Sequence, residues 1–228
     1  MEININGVNL YYEKVGSGKP LILLHGNGES GKIFDKAIPV LSEHYTVYCL
    51  DTRGHGKSSK VSEYHYEDMA RDLLGFIHEL NLDRPIVYGF SDGGITALLA
   101  ASYEPESVSR LIVSGANTDP RGVKPFWYYA GQVIYTLSFK RNSLMKLMLT
   151  EPNITAEQLG KIEAPVTVIV GSRDLIRESH TRELAEHIKH STLKILPGEG
   201  HSSYIIHSPK IAHLIIDTLK APAPQPHP

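Results

Sequence analysis

Unbroken apolar runs punctuate this chain. Leu21-Ile22-Leu23-Leu24, the run around Ile86, Leu111-Ile112-Val113 and Val166-Thr167-Val168-Ile169-Val170 leave almost no polar alternate position. That pattern suits strands covered on both faces rather than strands with one wet face. Residues 2–6 and 9–15 flank Gly7 and read as an antiparallel hairpin. Further strands are predicted over 46–50, 110–113 and 193–196, with helices over 33–41, 66–80, after Ser91, over 178–188 and over 209–219. A long insertion separates Val113 from Val166. Repeated strand–helix alternation needs crossover connections, so the chain predicts a mostly parallel sheet with helices on both faces.

Ligands of such sheets bind beyond the carboxyl ends of the strands, and those positions hold reactive residues here. His25-Gly26-Asn27-Gly28 follows the 21–24 strand, and the loop from Asp51 to Ser58 follows the next. Gly171-Ser172-Arg173-Asp174 and Gly198-Glu199-Gly200-His201-Ser202 close the last two. Between them Gly89-Phe90-Ser91-Asp92-Gly93 forms a G-x-S-x-G pattern with a strand before it and a helix after it. A serine on such a turn stands in a strained backbone conformation that the flanking glycines make room for. Its hydroxyl is exposed above the sheet, over a helix N-terminus. Ser91 is therefore the candidate nucleophile. Ser114, Ser172 and Ser202 also lie near predicted strand ends.

Chemical need supplies the partners. A serine hydroxyl is a poor nucleophile near neutral pH and requires a base. Histidine, with an ordinary pKa of about 6.5, suits that task, and a carboxylate fixes its tautomer and stabilises its imidazolium. Of 12 histidines, His201 is favoured by its Gly-rich turn after a strand, with His207 as the competitor. Asp174 is the preferred acid, and Asp119, which follows the 110–113 strand, is its rival. The order Ser91, Asp174, His201 along the chain matches the α/β-hydrolase order.

Composition narrows the class without changing it. At 228 residues the chain can bury one full core. A net charge of −2 gives no reason to invoke nucleic acid. The first residues lack a signal-peptide pattern, and no apolar run approaches the roughly 20 residues of a membrane span. The lone Cys49 cannot form an internal disulfide, which makes a reducing cytoplasm the default compartment; it reads as a buried structural thiol. No metal-ligand spacing and no nucleotide-binding glycine pattern stands in its required context, so neither metal nor cofactor is expected.

Taken together, the HG-x-G turn, the D-x-R-G-H-G-x-S loop, the elbow, the G-x-x-D turn and the G-x-G-H turn resemble the α/β-hydrolase fold family in family order. The resemblance spans the chain except its tail. The elbow wording is similar to that of small esterase-like members, including the valacyclovir-hydrolase-like branch. It implies an α/β-hydrolase core over 1–117 and 165–220, with a short helical cap insertion over 118–164. It also implies an oxyanion hole made by the backbone N–H groups of Asn27 and Asp92, whose side chains then need not matter. His25 and His55 become structural hydrogen-bonding residues, and Asp51 and Arg53 braces of their loop. Some relatives resemble the Asp119 placement of the acid instead.

The implied activity is that of a serine hydrolase acting on a small carboxylic ester or related acyl compound through an acyl-enzyme. An acyltransferase or perhydrolase with the same triad, and a non-catalytic binding protein keeping the fold, stay open. Esterase, lactonase, thioesterase and amidase are not distinguished, nor is the oligomeric state. The insertion is the aromatic centre of the chain, with Phe126-Trp127-Tyr128-Tyr129, Tyr135 and Phe139. Most of these side chains are expected to pack the cap onto the body, and Trp127, Tyr128 and Met148 are candidates for the substrate pocket. Asp92 reads either as a surface residue suited to a helix N-terminus or as a contact to a cationic substrate. Arg121, Lys124, Lys140, Arg141 and Lys146 fall in the insertion with no acid between Arg121 and Thr150. They read as a solvated basic face, with attraction of an anionic substrate or a membrane surface as the rarer case. Residues 221–228 are expected to form an extended Pro-rich tail.

Overall fold

The computed structural model describes residues 1–224. Of the expected tail, residues 225–228, His227 included, lie outside the described residues. Strands β1 (Glu2–Ile5) and β2 (Val8–Val15) form the predicted hairpin. They turn through Asn6-Gly7, both with positive φ, the two-residue turn whose twist matches its strands. The parallel body contains β3 (Pro20–Leu24), β4 (Thr46–Leu50), β5 (Ile86–Phe90), β6 (Arg110–Ser114), β7 (Val166–Gly171) and β8 (Ser191–Leu196). The spatial order is β1-β2-β4-β3-β5-β6-β7-β8, antiparallel as far as the β2–β4 pair and parallel beyond it.

Alternation along each strand splits the core into two layers, both apolar. Ile22, Leu24, Val87, Leu111, Val113 and Val168 pack with α2 (Tyr66–Glu79), α3 (Asp92–Tyr103) and α7 (Glu178–Glu186). Leu21, Leu23, Val47, Cys49, Tyr88, Ile112 and Ile169 pack on the opposite face with α1 (Ile38–Leu41) and α8 (Lys210–Lys220). This explains the unbroken apolar runs: neither face of a central strand meets water. Removing one such leucine side chain from water contributes on the order of 2 kcal/mol. Burial also pushes the Cys49 thiol pKa up and so keeps it protonated.

Two expectations need correction. The helix predicted over 33–41 is broken into a 3-10 turn at Gly31–Phe34 and the short α1. Pro39 has no N–H to offer the carbonyl four residues back, and its ring is tolerated only in a helix's first turn, where it sits in α1. The second correction concerns the segment between β6 and β7. It forms a 3-10 turn at Pro120–Gly122, then α4 (Pro125–Leu137), α5 (Ser143–Thr150) and α6 (Ala156–Gly160). Its aromatic side chains do not all seat on the body. Gly131 is the buried residue of α4 and abuts Met145 of α5, while Phe126, Trp127 and Tyr129 stay exposed. No described helix is long and apolar enough to cross a membrane.

Candidate active site

Ser91 occupies the turn between β5 and α3 at φ 50° and ψ −115°, a left-handed conformation that costs a non-glycine residue about 1–3 kcal/mol. The surrounding backbone enforces it. Ser91 N–H donates to the Ser114 carbonyl of the neighbouring strand at 2.8 Å. A Cβ at Gly89 would lie 2.3 Å from the Gly93 carbonyl oxygen, and one at Gly93 would lie 2.5 Å from that of Leu24. The glycines on either side of the serine are thus required by close backbone approach. The turn presents the half-buried Ser91 at the carboxyl end of the sheet.

The turn after β8 brings His201 to this hydroxyl, with Nε2 3.1 Å from Ser91 Oγ. The other ring nitrogen, Nδ1, lies 2.7 Å from Oδ1 of Asp174, which the loop after β7 supplies. An Nδ1–H donating to the carboxylate leaves Nε2 free to accept from the serine, which is the tautomer a base needs. Asp174 is buried, and its Oδ1 also accepts the Ile176 N–H at 2.9 Å. The Phe90 ring packs against the imidazole with centroids 4.9 Å apart.

The competing residues are engaged elsewhere. Asp119 caps the Pro120–Gly122 turn and pairs with Arg121 at 3.0 Å. His207 is exposed and pairs with Asp35 at 2.9 Å. His25 donates through Nδ1 to the Gly26 carbonyl and accepts from the Thr52 N–H at 3.1 Å; burial pushes its pKa down to about 4. His55 accepts from the Gly28 N–H at 3.2 Å. Asp51 receives the N–H groups of Gly31 and Lys57, and Arg53 pairs with Asp72 at 2.7 Å. These four residues shape the loops and do not reach Ser91.

Asp92 directly follows Ser91 and Asn27 lies in the turn after β3, and neither backbone N–H donates to a backbone carbonyl in the turns, loops or caps of the described residues. Their side chains, expected to be immaterial, are joined. Asn27 Nδ2 donates to Asp92 Oδ2 at 2.8 Å, and Tyr66 Oη donates to Asp92 Oδ1 at 2.8 Å. Asp92 is therefore no surface residue of the α3 N-terminus. Burial raises its pKa, against the lowering effect of the Tyr66 and Asn27 hydrogen bonds.

A cavity of about 40 Å³ adjoins Ser91 and His201, with Tyr66, Asn117, Met148, Glu151 and Ile176 in its wall. Met148, one of the three candidate pocket residues, lines this cavity. Trp127 and Tyr128 do not line it, because α4 turns Trp127 outward and Tyr128 borders a separate cleft with Arg121 and Arg177. The strand-end rule could have found Asn117 and Ile176. Tyr66 and Glu151 carry no local signal, since they arrive from the first turn of α2 and the end of α5.

A family model described as alpha/beta hydrolase fold matches residues 19–158. Serine hydrolase BPHL of Mus musculus is 27% identical over 249 residues, covering 96% of this chain and 86% of that protein. The pimeloyl-[acyl-carrier protein] methyl ester esterase of Aliivibrio fischeri is 32% identical over 123 residues, covering 51% of this chain and 46% of its own. Among solved structures, the enol-lactonase from Burkholderia xenovorans superposes with a TM-score of 0.79 at 20% identity, covering 97% of this chain and 100% of that one.

Proposed function

The chain belongs to the alpha/beta hydrolase fold family, and from that premise we propose that it is a serine hydrolase cleaving small carboxylic esters or lactones through an acyl-enzyme on Ser91. The observation that carries the proposal is the continuous hydrogen-bonded chain from Ser91 Oγ through His201 to Asp174. In this reading His201 takes the serine proton as Oγ attacks the carbonyl carbon, then returns it to the leaving alkoxide. Asp174 holds the tautomer and stabilises the imidazolium. The backbone N–H groups of Asn27 and Asp92 receive the oxyanion, each typically contributing about 3 kcal/mol to barrier lowering. Water activated by the same imidazole then releases the acid. The ester and lactone chemistry in the names of its relatives is consistent with this substrate class.

The cavity beside Ser91, about 40 Å³, favours a short acyl group over a long chain. Across p-nitrophenyl esters of increasing length, kcat/KM is expected to peak at acetyl to butyryl and to decline beyond. A palmitoyl preference would overturn the proposed short-acyl specificity.

The Tyr66–Asp92–Asn27 chain leads to a second expectation. It ties together the two residues whose N–H groups would share the oxyanion, so Asp92 and Asn27 act as positioning residues. Asp92→Ala and Asn27→Ala should each lower kcat by roughly ten- to a hundredfold with a smaller change in KM, because a donor displaced by a fraction of an ångström stabilises the transition state less. The double variant should lose no more than the worse single, since both break one contact. Additive losses in a double-mutant cycle, or losses confined to KM, would refute the positioning role. Asp92→Ala should also lower stability by about 1–3 kcal/mol, because it strands the buried Tyr66 hydroxyl.

A further inference from the structure

Helix α4 has no charged residue, and most of it faces solvent. Phe126, Trp127, Tyr129, Val133, Ile134 and Leu137 are each at least half exposed, and Phe139 in the following turn is 86% exposed. An apolar face of this extent marks a contact surface rather than a chance scatter of exposed residues. Phe139 and Lys140 both hold positive φ, 52° and 60°, and this tight turn directs the chain back towards α5.

The charges carried by this segment itself are of one sign. From Arg121 to Thr150 there are five cations and no acid. Three are engaged: Arg121 with Asp119, Lys124 with the Asp174 carbonyl, and Lys146 with Glu63 at 3.8 Å. Lys140 and Arg141 are exposed and have no side-chain partner among the described residues. They sit directly beside Phe139, so an exposed apolar tip and two unpaired cations share one edge.

We propose that α4 and the turn after it dock on an anionic lipid surface. Leu137 and Phe139, with Trp127 on the same helix, enter the boundary between headgroups and acyl chains, and Lys140 and Arg141 meet the anionic headgroups. Aromatic and leucine side chains next to lysine and arginine, without acids, are the composition that interfacial helices use. Charge complementarity selects this occupant. A second copy docked face to face would bring two sets of like charges together, whereas an anionic bilayer offers counter-charge to every cation on this edge. The surface is separate from the Ser91 site, so the proposal does not depend on the reaction proposed there.

The test is cosedimentation of the full chain with vesicles of phosphatidylcholine, alone or doped with phosphatidylserine. Binding is expected to the doped vesicles, to weaken as salt is raised, and to be far weaker on the neutral ones. Each cation near the surface strengthens binding about fivefold, so Lys140→Ser with Arg141→Ser should weaken it roughly 25-fold. Leu137→Ser with Phe139→Ser should weaken it by on the order of tenfold or more. Both variants alter exposed positions and should keep the wild-type melting temperature. No binding to doped vesicles, equal binding to both kinds, or wild-type binding by the two variants would overturn the proposal. So would light scattering that shows a dimer abolished by Leu137→Ser with Phe139→Ser.

Discussion

Ser91→Ala is expected to abolish labelling by a fluorophosphonate and to lower ester turnover by on the order of 10⁶-fold. The probe reports the nucleophile directly: Oγ attacks phosphorus, fluoride leaves, and the phosphonyl group stays on the serine. The loss should be one of chemistry alone. Among the described residues the side chain of Ser91 hydrogen-bonds to the partly exposed His201 alone, so the melting temperature should barely move. Ser91→Gly provides the internal control. It should be equally inactive yet more stable than Ser91→Ala, because glycine relieves the positive φ of the elbow, a strain of about 1–3 kcal/mol. Ser114 is fully buried and Ser172 accepts the Gly198 N–H, so neither competes. Labelling that persists in Ser91→Ala, at either of these or at Ser202, would remove Ser91 from the mechanism.

The second large effect concerns the base and its carboxylate. His201→Ala should reduce kcat by several orders of magnitude, since activation of the serine and of water both need the same nitrogen. Asp174→Asn should reduce it by about 10⁴, because an amide can hold the wrong imidazole tautomer and offers no charge to the imidazolium. Asp119→Asn and His207→Ala should be mild, as those side chains pair with Arg121 and Asp35 instead. The opposite ranking in either pair, measured with the same soluble ester, would reassign the site.

The sheet was legible in the residues because burial on both faces leaves a contiguous apolar run, as in β3 to β7, five of the six strands of the parallel body. The residues that meet at Ser91 were legible for a related reason. In a parallel sheet every loop at one end converges, so Ser91, Asp174 and His201 could be picked from their places after β5, β7 and β8. What stayed hidden depends on partners far along the chain. The burial of Asp92 is decided by Asn27, 65 positions earlier, and Tyr66, 26 positions earlier. Pro39 split a helix that its apolar neighbours suggested was continuous. The outward turn of Trp127 was invisible too, because an apolar side chain announces that it avoids water, not which surface will cover it.

The burial of Cys49 has a practical side. The chain has a single cysteine, buried within β4 and kept in its unreactive thiol form by its surroundings. The native protein therefore carries no competing site for maleimide reagents, and any cysteine introduced at an exposed position becomes a unique attachment point. A fluorophore placed at Phe139→Cys would respond to its local polarity alone, without first removing a native thiol and disturbing the core around it. Site-specific probes can thus be moved over the surface of an otherwise unaltered protein.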